Sequence, residues 1–534
     1  MAASYGAPGV YIEEVPSGSM PIEGVGTAVA AFVGFTKTYN PEQGDPGDPV
    51  GVKPQLVTSW EQYERIYGGF LEGAMLPFAV NGFFMNGGSK AFIVRIPSGA
   101  DPTAAPQAML SSGAKPELPT VEVKALTPGA RIDVVVERPG PAGEGQEPPQ
   151  EFTIKVIEDG RQAEEFGGLT IGRGPRGAER VVNEQSQKIR ISLQAAPGVS
   201  ALERLPAAGT YTLQAPVGAD VAIRATPADF EGSVTERTGY QGLAIAEQVT
   251  MVAIPDLASI ATKPDGGLDI DTYLAVQGKL VDWCEASHTR MAILDSPPGI
   301  TATQALEWRT TLGRDSAFGT AYYPHLVISN PLARADATPN ERFIAVPPSG
   351  HVAGVWARTD ATRGVWKAPA NEVVRGILRL ERDITMGEQD LLNPQGINCI
   401  RAFGTNGLRI WGSRTLSASD PSWRYVPVRR LFNFIEESIR QGTQWAVFEP
   451  NDEHLWLRVK RNINAFLRGL WRAGALVGAT PEQAFYVRCD ASNNPPESVD
   501  EGKLIVEVGI SPVKPAEFVI FRISQWQGGG ETSD

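Results

Sequence analysis

Thr27-Ala28-Val29-Ala30-Ala31-Phe32-Val33-Gly34-Phe35 is the stretch on which the reading of the fold turns. Apolar residues occupy both parities of this run, so an extended backbone would be apolar on both faces. A strand covered on both sides, as in a parallel sheet, reads this way. Working outward, Thr58-Ser59-Trp60-Glu61 has the spacing of a capping box and predicts a short helix stopping at Gly68-Gly69. Leu76 to Met85 reads as a second helix ending at Asn86-Gly87-Gly88, and Ala91-Phe92-Ile93-Val94 as another buried strand. Strand, helices and strand make a βαβ rhythm.

A Pro/Ala/Gly stretch over 97–106 interrupts that rhythm. Ile132, Val134 and Val136 then alternate with Asp133, Val135 and Glu137, and the pattern recurs at Phe152, Ile154 and Val156 and at Ile189, Ile191 and Leu193. Period-2 runs split by Gly/Pro turns predict an antiparallel barrel or sandwich, inserted over about 101–230. The α/β pattern returns with strands at 249–254, 291–294 and 324–328 and helices at 273–286, 304–312 and about 352–358. A mixed domain follows, with its best helices at 428–440 and 454–473. The expected fold class is therefore α/β multidomain: an α/β core over 25–100 and 231–384, the β insert at 101–230, and a C-terminal α+β domain at 385–502. Arms at 1–24 and 503–534 complete the expected division.

Both ends carry apolar strand patterns. Val10-Tyr11-Ile12-Glu13-Glu14-Val15 sits between Gly9 and Pro16, while Lys503-Leu504-Ile505-Val506-Glu507-Val508 and Glu517-Phe518-Val519-Ile520-Phe521-Arg522-Ile523 flank Ser511-Pro512. Chain ends are ordinarily polar and frayed. Apolar strands there read as extended arms that add to the sheet of another subunit, with Val10, Tyr11, Ile12, Val15, Leu504, Val506, Phe518 and Ile520 as the pairing residues. This points to a polymer subunit.

The 534 residues are 42% hydrophobic and 20% charged, ordinary for a globular protein. The net charge of −13 argues against nucleic acid as a partner, since that needs a basic surface. Three widely spaced cysteines, Cys284, Cys399 and Cys489, define no disulfide framework or metal pair. The start shows no basic segment followed by an apolar one, so no signal peptide is read, and no apolar run approaches the ~18 residues of a membrane span. The expectation is assembly in a bacterial cytoplasm without membrane insertion.

Asp256 and Asp295 each end a predicted strand, where α/β enzymes place catalytic groups and where aspartate also caps helices. No partner for catalysis is identifiable. Gly172-Arg173-Gly174-Pro175-Arg176-Gly177 matches GxGxxG in letters, but lies in the β insert and reads as a surface loop. There is no GxxxxGK[ST] loop, and His288, His325, His351 and His454 lack metal-ligand spacing. No cofactor is implied.

On the predicted helix 454–473, 100° steps place Val459, Ile463, Phe466 and Leu470 on one face, with Trp456 and Leu467 beside them. Arg458, Arg461, Arg468 and Arg472 fall opposite, within about 80° of one another. An arginine ridge on an acidic chain reads either as a solvated face or as a docking surface for an acidic partner, to whose carboxylates guanidinium forks pair.

Two resemblances sharpen these readings. Ser349-Gly350-His351-Val352-Ala353-Gly354-Val355 resembles the segment after the nucleophile in subtilisin-like proteases, but the serine position, five before this histidine, is Val346, which has no hydroxyl. This implies a subtilisin-like, catalytically dead core. The ordered set Tyr5-Gly6-Ala7-Pro8-Gly9-Val10-Tyr11-Ile12-Glu13-Glu14, Asn86-Gly87-Gly88 with Ala91 to Arg95, Pro347 to Gly354, Gly404-Thr405-Asn406-Gly407 through Trp411-Gly412-Ser413-Arg414-Thr415, and Pro515-Ala516-Glu517-Phe518 resembles the sheath proteins of contractile phage tails and related injection systems. That resemblance implies self-assembly as stacked hexameric rings around an inner tube, terminal arms completing a sheet in neighbours, and a C-terminal helix touching the tube. Baseplate and terminator or cap proteins are implied partners, contraction drives the tube through an envelope, and no nucleotide is consumed. The arginine ridge is the expected tube contact. The other classes weighed are an α/β hydrolase and a glycan- or surface-binding module in the β insert.

Overall fold

In the computed structural model, the described residues run from 21 to 522, except 41–42, 46, 49–50, 97–106, 127–131, 140–148, 159, 173, 195–197, 214–224, 263–266 and 335–336. The strand of the opening stretch, Val29–Gly34, is buried at every position and lies inside a nine-stranded sheet. It pairs in parallel with Lys90–Arg95 on one side and Met251–Ala253 on the other. Met291–Asp295, Gly319–Tyr323 and Ile397–Ala402 continue the parallel array. Short antiparallel strands close both edges: Gln55–Val57 on one, Leu408–Ile410 and then Glu372–Val373 on the other.

The double apolar parity has a direct structural meaning. Val29, Ala31 and Val33 face one core with Val276, Leu280, Trp308 and Leu312 of the helices Ile270–Ser287 and Ala302–Leu312. Ala30 and Phe32 face the other, with Phe83 of the helix Leu76–Met85 and Val352, Val355 and Trp356 of Ser349–Arg363. The hydrophobic stretch is thus one strand shared by two cores.

Several expectations shift in detail. The first helix, Trp60–Tyr67, is capped one residue later than its spacing indicated: Ser59 Oγ accepts from Gln62 N–H at 3.1 Å, and Gln62 Oε1 accepts from Thr58 N–H at 2.8 Å. The strand expected over 324–328 is not the sheet strand. Gly319–Tyr323 fills that place, while Leu326–Ser329 pairs antiparallel with Phe343–Val346 and Arg379–Leu380 in a separate small sheet. The boundary expected at 384/385 falls inside the main sheet's connectivity, because Ile397 to Ile400 are buried and pair with Ala321 to Tyr323.

Between Lys90–Arg95 and Met251–Ala253 lies the insert. It has a four-stranded antiparallel sheet (Gly209–Thr212, Ile132–Glu137, Glu151–Glu158, Arg161–Thr170) and a three-stranded one (Gln107–Ser111, Pro119–Ala125, Ile189–Leu193). Ile132, Val134, Val136, Phe152, Ile154, Val156, Ile189 and Ile191 all enter one cluster, as their alternation indicated. The C-terminal region packs Val426–Gly442 and Glu453–Arg472 around a further cluster with the hairpin Phe485–Arg488/Glu507–Ile510.

Candidate assembly surfaces

Both strand-end aspartates are used to hold helices. Asp256 is fully buried and accepts from Phe35 N–H at 2.7 Å, from Leu76 N–H at 3.3 Å and from Met75 N–H, so it pins the start of Leu76–Met85 to the end of Val29–Gly34. Asp295, 4% exposed, accepts from Ser349 N–H at 2.8 Å and fixes the start of Ser349–Arg363. Burial pushes each carboxyl up to about 7 against the lowering effect of these hydrogen bonds. Neither is exposed to a substrate. His351 is buried as well, and burial lowers it to about 4.

The Ser349–Val355 motif does its work through small residues. A Cβ on Gly350 would lie 2.2 Å from Ala79 O, and one on Gly354 would lie 2.4 Å from Phe83 O, so the backbones of Leu76–Met85 and Ser349–Arg363 touch. His351 occupies the matching gap at Gly82. Asn86, which ends the first of these helices, donates to Arg375 O at 3.1 Å and accepts from Arg375 N–H at 2.8 Å. The Gly172–Gly177 loop does lie between a strand and a helix, but the strand belongs to the antiparallel sheet and the eight-residue helix Ala178–Gln185 packs on Ile189–Leu193. Among the described residues no group of His, Cys, Asp and Glu could hold a metal ion. No helix among them is long and apolar enough to cross a membrane.

The Glu453–Arg472 helix is amphipathic as its periodicity indicated. Leu455, Trp456, Val459, Ile463, Leu467 and Leu470 are buried against Leu431, Ile435, Phe485 and Val487, and Phe466 is half-buried beside Phe434. Its first turn is capped by Asp452, which accepts from Leu455 N–H at 2.9 Å. On the opposite face Arg461, Arg468 and Arg472 are exposed, together with His454 and Leu457. Arg458 differs from them: it lies 3.6 Å from Glu449 and its guanidinium sits 4.4 Å over the Trp445 ring. Three of the four ridge arginines therefore present open forks. Beside Arg458, Val447 and Phe448 are exposed at 64% and 103%, and Phe448 holds a left-handed φ of 67°. That conformation is uncommon for a bulky side chain.

Of the pairing residues, Val10, Tyr11, Ile12 and Val15 lie outside the described residues. Leu504 and Val506 are half-buried and pack on the C-terminal cluster of their own chain. The following Glu507–Ile510 pairs with Phe485–Arg488, setting Val508 opposite Val487 and Ile510 opposite Phe485. The end of that apolar alternation, Glu507 and Val508, is thus part of a hairpin within its own domain. The part that stands free begins later. Phe518, Val519, Ile520 and Phe521 are 70%, 71%, 78% and 83% exposed and belong to no helix or strand. Glu517, just before them, forms a bidentate pair with Arg414 and also accepts from Asn393 and Tyr425. Neither residue had been assigned a role from sequence, although each lies in a quoted motif.

At the other end, Ile22 enters the C-terminal cluster and Val25 N–H donates to Ser438 Oγ at 3.1 Å. Thr27 Oγ1 donates to Asp360 at 2.6 Å, and Asp360 pairs with Arg430, both 4% exposed.

The exposed apolar tail and the use of both strand-end carboxylates to hold helix starts point to a structural protein. Residues 267–416 match the phage tail sheath protein central domain and 418–525 the phage tail sheath C-terminal domain. The tail sheath protein of Burkholderia phage BcepMu is 26% identical over 537 residues, covering 97% of this chain and 96% of that one. The tail sheath protein of Vibrio phage KVP40 is 28% identical over 243 residues, 44% of this chain; the match spans only 35% of that longer relative. The contracted sheath of the anti-feeding prophage and the contracted PVC sheath complex, an extracellular contractile injection system, share the fold: each is 24% identical with a TM-score of 0.56, over 98% of this chain and 100% and 99% of theirs. The chain belongs to the tail sheath family of contractile phage tails and contractile injection systems, a family of structural proteins and not of enzymes.

Proposed function

We propose that this chain is the subunit of a contractile sheath that stacks as hexameric rings around an inner tube and shortens to drive the tube through a target envelope. The observation that carries this reading is the exposed Phe518–Phe521 run, leaving the body beyond an anchored glutamate. An isolated two-stranded sheet is marginal by itself and offers unpaired edges. The hairpin Phe485–Arg488/Glu507–Ile510 has only two strands and gains its support by packing on Glu453–Arg472, and arms of neighbouring subunits extend it. Head-to-tail contact of this kind does not close and so generates a helical array. Contacts that differ between two lattices make that array bistable.

The remaining assignments build on this. The core is a subtilisin-like fold without its nucleophile, consistent with Val346 buried at 1% in the nucleophile's place. Arg461, Arg468 and Arg472, with Arg458 at the flank, face an acidic inner tube. Baseplate and terminator or cap proteins bind the ends of the stack, and assembly takes place in the bacterial cytoplasm. The test is electron microscopy of the purified full chain and of a variant lacking residues 1–16. The full chain forms tubular polymers, whereas the truncated subunit stays folded by circular dichroism and forms no stable sheath. Long contractile sheaths from the truncated chain would refute the arm mechanism.

A further inference from the structure

We propose that Glu517 is a positioning residue: its pair with Arg414 fixes the point where the C-terminal arm leaves the subunit, and docking of that arm on a second copy of the chain depends on it. The proposal rests on the polymer reading given above. Arg414 Nε donates to Glu517 Oε1 at 2.7 Å and Arg414 Nη2 to Oε2 at 2.6 Å, the two parallel bonds of a fork on a carboxylate. Asn393 Nδ2 donates to Oε1 at 2.7 Å and Tyr425 Oη to Oε2 at 2.9 Å. Each carboxylate oxygen therefore receives two hydrogen bonds. The side chains of the pair are only 11% and 17% exposed.

Arg414 is itself fixed. Its N–H donates to Asn398 Oδ1 at 2.7 Å, and its carbonyl accepts from Asn398 Nδ2 at 2.8 Å. Asn398 is fully buried in Ile397–Ala402, one of the parallel strands of the main sheet. An unbroken series of hydrogen bonds thus connects the sheet to residue 517.

One residue later the environment reverses, since Phe518 to Phe521 are each at least 70% exposed. A tail with nothing to bind frays, because ordering each residue costs about 1–2 kcal/mol of conformational entropy. Here four donors hold the residue that precedes an apolar segment with no burial of its own. Fixing the root limits the volume the arm explores and raises its effective concentration at a neighbour's sheet edge. The occupant is a second copy, because the hairpin the arm would extend belongs to this chain and a repeated root-to-edge contact builds a lattice.

The test compares the full chain with Glu517→Gln and with the double charge exchange Arg414→Glu, Glu517→Arg. Three quantities are read: amide hydrogen exchange over residues 513–522 in unassembled subunits, the concentration at which polymers form, and the thermal midpoint. Glu517→Gln is expected to speed exchange at Val513, whose N–H donates to Ala475 O at 3.2 Å just before the root, and to raise the polymerisation threshold, each about tenfold, with the midpoint moved by less than about 2 °C. The charge exchange restores part of both. Faster exchange with an unchanged threshold would refute a role in docking. A midpoint lowered together with faster exchange throughout the C-terminal domain would make the pair a mere stabiliser and also overturn the proposal. If the unaltered chain forms no polymer, the polymer reading falls and docking with it, while exchange at Val513 still reports whether the pair holds the root.

Discussion

Replacing Asp256 or Asp295 with asparagine tests whether each carboxyl is a buried, raised group that stabilises the fold by holding a helix start. Each has an ordinary value of 3.8 and a folded value of about 7, the rise coming from burial. A carboxyl whose folded pKa lies above its unfolded pKa stabilises fully below the unfolded value, and that gain is lost as the pH rises through the folded one. At pH 6 such a group retains about 1.4 kcal/mol of its contribution, and at pH 8.5 almost none, taking about 1.36 kcal/mol per pH unit. Asparagine offers one acceptor oxygen and turns an amide donor toward a backbone N–H. At Asp256, where Phe35, Met75 and Leu76 all donate, one backbone donor then loses its partner, at a cost of about 1–3 kcal/mol. Asparagine does not titrate, so the penalty of Asp256→Asn should shrink by about 1.4 kcal/mol between pH 6 and pH 8.5, and that of the Asp256/Asp295 double variant by about 3 kcal/mol. The buried His325 and His351, both lowered by burial, act in the opposite sense, favouring the fold as the pH rises. Measuring variant against parent at each pH cancels them. The assay is urea unfolding followed by tryptophan fluorescence on unassembled subunits. A penalty independent of pH in both single variants would refute the assignment of these carboxyls as buried and mostly neutral.

Two further outcomes are expected. Gly354→Ala places a methyl 2.4 Å from Phe83 O, a backbone atom that cannot move aside cheaply, and should cost roughly 2–3 kcal/mol in the same unfolding assay; an unchanged midpoint would show that the helices do not touch there. Reversing Arg461, Arg468 and Arg472 to glutamate should leave soluble subunits with an unchanged circular dichroism spectrum and no assembly on tubes; normal tube-filled sheaths from this variant would dismiss the tube-contact role.

Much of the core was legible because its chemistry is local. Val29–Gly34 declares itself by parity and Leu76–Met85 by an apolar run that stops at Asn86-Gly87-Gly88, and the insert's alternation places its inward residues in one cluster. Two kinds of feature were not. Gly319–Tyr323 is a fully buried sheet strand made of Gly, Thr, Ala and Tyr, and the branched aliphatics that mark a buried strand are missing. The pairing across the expected division at 384/385 was hidden for a topological reason: a strand 74 residues downstream of 323 returns to lie beside it. The arms show the same limit. Lys503–Val508 and Phe518–Phe521 read alike as apolar strand patterns, yet the first lies beside and partly within a hairpin that its own chain completes and the second does not. Periodicity reports what a segment can pair with and is silent on whether the partner is its own.

The two ends of the body are anchored by the same chemistry. At the N-terminal root, Arg430 pairs bidentately with Asp360 at 2.9 and 2.5 Å and donates to Thr27 O at 3.0 Å, while Thr27 donates to Asp360 in turn. The guanidinium also lies 4.6 Å over the ring of Trp356. At the C-terminal root, Arg414 and Glu517 repeat the fork on a more exposed site. Removing one member of a buried pair costs about 3–5 kcal/mol, because the other charge is left without a partner, whereas exposed pairs contribute about 0–1 kcal/mol. The N-terminal root, 4% exposed on both sides, belongs to the first class, and the C-terminal root lies between the two. In the sheath proposed above, force applied through either end of the chain would be met first by a charge pair tied to the main body, the fork of Arg430 on Asp360 or that of Arg414 on Glu517.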